Sequence, residues 1–263
     1  DILEEAKLLA KKGIKELVVI AQDTTKYGLD LYNRPMLAEL LKMLCKVDGI
    51  EWIRFLYSYP EGISDELIQV VKEEDKICKY FDIPIQHISN SVLKRMNRKT
   101  NKENIQNVIS KIRENIPNAI IRTTVMVGFP GETKEDFNEL YEFIRNVKFE
   151  NLGAFTYSKE EGTPASRLKE QVHPMTKKSR YNKIMQLQQQ ISKENLAKLQ
   201  GKEIKVLIED KTFDGKYYVG RSEIQVPDID GMVYIKNDEE LKIGSFVNCK
   251  VIDSREYDLI AKV

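Results

Sequence analysis

The residues best suited to chemistry in this chain stand just past the ends of hydrophobic runs. Arg122 to Thr133 (RTTVMVGFPGET) carries a β-branched run straight into a Gly-Phe-Pro-Gly turn, and Thr133 with Asp136 then opens a helix. Such a turn aims backbone N–H groups, and a helix N-terminus behind them, at whatever lies beyond the strand, which suits a polar or anionic ligand. Gln22 to Gly28 (QDTTKYG) ends an earlier run in the same way. Ser58-Tyr59, Gln86-His87 and Tyr157-Ser158 follow three more runs. Ligands of parallel α/β folds bind beyond strand C-termini, so five polar sets at five predicted strand ends describe one shared site.

Each residue has a plainer reading beside the functional one. Asp23 and Thr24 suit a turn cap as well as a ligand contact. His87, shortly after Pro84, reads either as a donor to a ligand or as a satisfied loop histidine. Arg122 lies inside a strong strand pattern, where an unpaired guanidinium is costly to bury. It must face a carboxylate, either the protein's own or a ligand's. No nucleophile–base pair, paired acid and base, or metal-ligand cluster emerges. Cys45, Cys78 and Cys249 lie far apart without a C-x₂-C clip, so neither a disulfide framework nor a local metal site follows. The chemistry must therefore be borrowed from a cofactor, or the fragment is inert.

Alternating strands and helices position these ends. Asp1 with Glu4 resembles a capping box ahead of Ile2, Ala6 and Leu9, which share a helix face, and Gly13 fits the stop. Strands are predicted over Glu16–Ala21, Trp52–Tyr57, Lys79–Ile85, Ala119–Val127 and Leu152–Tyr157, each followed by a helical pattern. That alternation predicts a parallel α/β sheet wound by right-handed crossovers. Five units are too few to close an eight-stranded barrel, and the chain opens on a helix, so a preceding strand is expected to be missing. A long basic helix spans Thr176–Gln200 and ends at Gly201. Five short alternating runs then predict a small β-barrel or sandwich. The division expected is 1–172 for the α/β part, 173–200 for the connecting helix and 201–263 for the β part.

Composition narrows the class. Charged residues make up 32% of the 263, apolar residues 41%, and the net charge is +1. No apolar run approaches the roughly 20 residues that span a bilayer, and no signal-peptide pattern opens the chain, so a cytoplasmic protein without membrane contact is expected. Residues 201–263 carry 13 acidic against 10 basic side chains. A phosphate-gripping module should be basic; an acidic one suits docking on a basic protein.

Four phrases together carry a resemblance: Ala21–Tyr32 (AQDTTKYGLDLY), Phe81–Asn90 (FDIPIQHISN), Arg122–Thr133, and Tyr157–Ala165 (YSKEEGTPA). They resemble the radical S-adenosylmethionine methylthiotransferases over essentially the whole chain. The resemblance implies an open, partial TIM-type radical S-adenosylmethionine barrel missing its first strand, then a long helix and a small all-β TRAM barrel. Gln22-Asp23-Thr24-Thr25 and Glu160-Glu161-Gly162-Thr163 look like the branch that modifies a ribosomal protein. The tRNA-modifying branch typically has Gln-Asn-Val and Arg-Pro-Gly-Thr there.

By that resemblance the intact enzyme adds a methylthio group to the β-carbon of an aspartate in the twelfth protein of the small ribosomal subunit. One S-adenosylmethionine supplies the methyl group. Another is cleaved reductively at a four-iron four-sulfur (4Fe-4S) cluster, with electrons from an electron donor, so that hydrogen can be taken from an unactivated carbon. The family's C-x₃-C-x₂-C cluster motif belongs after the first barrel strand and is expected to precede this chain, so the fragment alone is expected to be inactive. The S-adenosylmethionine shelf carries over as Gly128, Gly131 and Glu132, with Gln22 and Asp23 toward the methionine amino group. Arg122 is implied for a carboxylate or ribose, and Gln86, His87, Tyr157 and Ser158 for the rim. The TRAM barrel is the implied dock for the ribosomal protein, with RNA contact secondary. The competing readings are a tRNA adenosine methylthiotransferase and a non-catalytic RNA-binding module built on the basic helix.

Overall fold

The computed structural model describes every residue except Asp238. Three of its helices start where short polar side chains cap them, whereas the first, Ile2–Lys11, has no side-chain cap from Asp1. Ser64 accepts from the Leu67 N–H ahead of Asp65–Glu73, Asn101 from Asn104 ahead of Lys102–Asn115, and Thr133 with Asp136 forms a full capping box ahead of Lys134–Val147. In chain order the helices are α1 (Ile2–Lys11), α2 (Leu29–Tyr32), α3 (Leu37–Cys45), α4 (Asp65–Glu73), α5 (Asn90–Arg95), α6 (Lys102–Asn115), α7 (Lys134–Val147) and α8 (Pro174–Ala197).

Five strands, β1 (Glu16–Val19), β2 (Trp52–Phe55), β3 (Tyr80–Asp82), β4 (Ile120–Val127) and β5 (Asn151–Thr156), lie side by side in sequence order. β1 pairs parallel with β2, and β4 pairs parallel with both β3 and β5. The gap between β2 and β3 is closed by a parallel bridge at Ile53 and Ile77 and by the Cys78 N–H donating to the Ile53 carbonyl at 3.0 Å. All five C-terminal ends therefore point the same way. Strand period two gives this sheet two chemically different faces. Ile53, Phe55, Phe81, Ile121, Val125 and Ala154 pack outward into one core with the helices. Trp52, Arg54, Tyr80, Asp82 and Arg122 occupy the alternate, inner positions.

After α8, strands β6 (Glu203–Lys211), β7 (Tyr218–Ser222), β8 (Val233–Lys236), β9 (Phe246–Ser254) and β10 (Leu259–Lys262) close into a barrel. The choice between barrel and sandwich is settled by β10, which pairs parallel with β8 and antiparallel with β9, leaving no free edge. Val206, Ile208, Val233, Ile235, Val251 and Leu259 fill its interior.

This barrel packs against the inner face of the parallel sheet, where the strands begin. Leu207, Val226 and Phe246 join Trp52, Leu56, Cys78 and Tyr80 in one cluster, with the Trp52 and Phe246 rings edge to face at 4.6 Å. Arg54, fully buried, lies 5.4 Å from the Trp52 ring and 5.5 Å from the Tyr80 ring. It donates to the carbonyls of Ser222 and Glu223, and its Nε pairs with Glu16. Arg221 reaches Glu16 and Glu209 from the other side. A linear reading of three successive segments misses this arrangement, because nothing local in 201–263 says which surface it will cover. Among the described residues no helix is long and apolar enough to cross a membrane.

Candidate functional site

The first strand end is knitted to the second. Asp23 caps the turn Thr24–Lys26: one carboxylate oxygen accepts from the Thr25 N–H (3.2 Å) and hydroxyl (2.6 Å), and the other lies 2.9 Å from the Lys26 ammonium. Buried Thr24 donates to the Leu56 carbonyl at 2.8 Å and touches Ser58 at 3.3 Å. Thr24 and Ser58 are thus occupied in joining two strand ends and Asp23 in capping its own turn, while Gln22 is exposed. Tyr59 turns to stack on Arg98 at 4.7 Å. The free group at this end is Tyr57, which sequence reasoning passed over. Tyr57 is 43% exposed, has a φ of 58°, and donates its N–H to Asp82 at 3.0 Å.

Gln86 repeats that backbone conformation at the next strand end, with a φ of 66°. Its N–H donates to the Thr124 carbonyl at 2.9 Å and its carbonyl accepts from Met126 at 2.8 Å, so β4 holds it in place. A left-handed non-glycine residue costs about 1–2 kcal/mol, and such strain concentrates at functional sites. No sequence signal marks this conformation at either residue, since Tyr and Gln are not left-handed formers. His87 is different: it is wholly buried, its Nδ1 accepts from the Ser89 N–H at 3.0 Å, and its Nε2 has no partner among the described residues. Burial pushes its pKa down to about 4, so the ring is neutral near pH 7 with the proton on Nε2.

The Gly-Phe-Pro-Gly turn is filled by its own glutamate. The Gly128 and Phe129 N–H groups both donate to Glu132, whose other oxygen lies 3.0 Å from Arg180. Glu132 is buried, and that burial pushes its pKa up to about 6 against the pull of Arg180. Arg180, on α8, also donates to the carbonyls of Glu132 and Thr133 at 3.1 Å. Lys177 donates to the Tyr157 carbonyl at 2.9 Å and lies over its ring at 4.7 Å. The φ of 74° at Gly128 and 83° at Gly131 demands glycine, and a Cβ would collide with Lys177 at the first and Arg95 at the second. Protein cations, rather than open space, cover these glycines. Tyr157 is buried against Phe129 at 5.2 Å, whereas Ser158 is exposed.

Arg122 resolves to protein carboxylates. Its Nη1 donates to Asp82 at 2.9 Å and its Nε lies 3.7 Å from Asp230 of the closed barrel. Beyond it the inner face ends in half-buried Thr124 and Met126 and in Phe155, 59% exposed. Gln22, Tyr57, Gln86, Phe155 and Ser158 therefore stand at the strand C-termini with polar and apolar surface available together. That mixture suits a nucleoside-like ligand with a polar tail. No three His, Cys, Asp or Glu side chains among the described residues converge to hold a metal. Burial pushes the thiols of Cys45 and Cys78 to about 11 and about 12. This stretch thus offers no ligand set for an iron–sulfur cluster.

Known proteins match this picture. Residues 1–144 match the model of the radical SAM superfamily and residues 201–263 that of the TRAM domain. Ribosomal protein uS12 methylthiotransferase RimO of Alkaliphilus oremlandii is 60% identical over 264 residues, covering 100% of this chain and 60% of the relative. Its counterpart in Clostridioides difficile is 54% identical over 263 residues, covering 100% of this chain and 59% of the relative. The chain therefore spans about three fifths of the length of these curated relatives. Among solved structures, coproporphyrinogen III oxidase (HemN) from Escherichia coli, a radical SAM enzyme, superposes with a TM-score of 0.53 at 18% identity, covering 75% of this chain and 44% of that one. With its parallel sheet, its strand-end mouth and a family match over more than half its length, the chain belongs to the radical SAM superfamily and ends in a TRAM domain.

Proposed function

We propose that the intact protein is a radical S-adenosylmethionine methylthiotransferase that modifies the β-carbon of an aspartate in ribosomal protein uS12. The observation that carries this is identity of 60% and 54%, across the full chain, to relatives named for that activity. S-adenosylmethionine, bound with a reduced 4Fe-4S cluster, supplies hydrogen abstraction and the methyl group. The residues of this chain bind and orient. Gln22 and Gln86 offer amides to the methionine end, Arg122 offers its remaining N–H groups to a carboxylate or ribose, and Met126 with Phe155 offers apolar surface to the adenine. Glu132, Gly128 and Gly131 stiffen the end of β4 from behind, and Tyr157 packs that support. His87, sealed below the rim, supports the β3 end. The cluster's ligands must come from residues other than those described. The TRAM barrel is the proposed contact for uS12, in the cytoplasm where ribosomes are assembled.

The test is direct. The intact protein, with clusters reconstituted, is incubated with uS12, S-adenosylmethionine, a sulfur source and a reductant, and the products are read by mass spectrometry. A methylthio-sized increase on one uS12 aspartate supports the reading. Modification of tRNA adenosine in place of uS12 would transfer the assignment to the tRNA branch.

A further inference from the structure

We propose that Asp230, although it belongs to the TRAM barrel, is a positioning residue of the strand-end site: it fixes the Arg122 guanidinium so that Nη2 stays free for a ligand. The inference rests on reading that site as the S-adenosylmethionine site.

Asp230 is held by two donors on one oxygen. The Tyr80 hydroxyl donates to Oδ2 at 2.6 Å and the Val226 N–H at 3.0 Å. Oδ1 is left for Arg122 Nε at 3.7 Å. On its other side Arg122 gives Nη1 to Asp82 Oδ1, and Asp82 Oδ2 accepts from the Tyr57 N–H. Asp230, Arg122, Asp82 and Tyr57 thus form one chain running from the TRAM barrel to the strained tyrosine at the strand end. The Asp230 and Asp82 side chains are 5% and 3% exposed, so water does not screen these contacts.

A guanidinium has five N–H donors in a fixed fork. Nη1 donates to Asp82, Nε faces the Asp230 carboxylate as a charge pair at 3.7 Å, and Nη2 has no acceptor among the described residues. It lies opposite Gly153, where even an added Cβ would stay 3.9 Å away. The Arg122 side chain is 15% exposed, so this unpaired donor can be reached, and a carboxylate or ribose hydroxyl would satisfy it. Without Asp230 the fork is free to rotate and grip Asp82 at two points, the preferred geometry for Arg with a carboxylate. That rotation would withdraw Nη2 from the ligand. The TRAM barrel therefore shapes the cofactor site from within, before any substrate arrives.

Asp230→Asn tests this. The amide oxygen can still accept from Tyr80 and Val226, but an N–H₂ now confronts Arg122 Nε and repels it. Two readouts are needed. In the 263-residue chain without cofactor, amide exchange at Tyr57 should accelerate about tenfold while Tm moves only a few degrees. In the intact, cluster-reconstituted protein, the Kd for S-adenosylmethionine should rise about tenfold. Asp230→Asn combined with Arg122→Lys should weaken binding no more than Arg122→Lys alone. Should Asp230→Asn fold poorly, Tyr80→Phe removes one anchor of the carboxylate and should shift both readouts the same way, but less. Wild-type Kd and wild-type Tyr57 exchange in these variants would overturn the proposal, as would strictly additive effects with Arg122→Lys. If the unmutated protein binds no S-adenosylmethionine, the reading of the site fails, and the assignment of Asp230 to a cofactor site with it. Tyr57 exchange would still decide whether the link itself exists.

Discussion

Glu16→Gln should loosen the seam between the parallel sheet and the TRAM barrel, and by an amount the structure allows to be estimated. The Glu16 carboxylate is shared by Arg54 and Arg221, the latter at 2.6 Å, and the three side chains are 7%, 0% and 3% exposed. A neutral amide leaves Arg54 without a paired carboxylate and Arg221 with Glu209 alone among the described residues. Removing one partner from a buried ion pair costs about 3–5 kcal/mol, because the remaining charge is stranded away from water. With a urea m-value of about 2–3 kcal/mol/M, the unfolding midpoint should fall by roughly 1–2.5 M. The assay is built in: Trp52 is the single tryptophan of the chain and packs on Phe246 across the seam, so its fluorescence follows docking while circular dichroism follows the helices. The fluorescence transition should move furthest. Burial pushes the Glu16 pKa up, but hydrogen bonds and charge from Arg221 and Arg54 outweigh it and hold it below 4.5. The stabilisation is therefore present above the unfolded value and lost as pH falls through the folded one. The gap between wild type and Glu16→Gln should close as pH falls through the folded-state value, which lies below 4.5. Equal midpoints at pH 7 would refute the reasoning.

Glu132, pushed up to about 6 from 4.5, binds its proton more tightly in the folded state, so its contribution to stability is greatest below pH 4.5 and falls as pH rises through 6. The difference in unfolding free energy between wild type and Glu132→Gln should drift across that window by an amount on the order of 2 kcal/mol, and a pH-independent difference would count against it. Gly128→Ala should cost about 1–3 kcal/mol in denaturant unfolding, from the left-handed backbone and the collision with Lys177. Adding Lys177→Ala should recover only the collision. Gln86→Gly removes a left-handed glutamine and should leave stability unchanged or raised by about 0.5 kcal/mol. The same change should weaken S-adenosylmethionine binding in calorimetry; unaltered affinity would remove Gln86 from the site.

What the sequence by itself determined is the local order: which segments are helix or strand, and which polar residues follow each strand. Capping groups such as Thr133 with Asp136 act within four residues, and side-chain period distinguishes strand from helix without reference to the rest of the chain. The phrase around Gly128 also announced its need for glycine, since a left-handed turn is a backbone property. Tertiary structure alone decided which partners those residues keep. Arg122 had to meet a carboxylate, but Asp230 comes from another domain, and the bond that anchors it to Tyr80 spans 150 residues. Glu132 turns inward because α8 brings Arg180 over it, and Tyr57 becomes the free group because Thr24 and Ser58 consume each other. Periodicity says that a strand has two faces; what covers each face depends on contacts made after the chain has returned from far away.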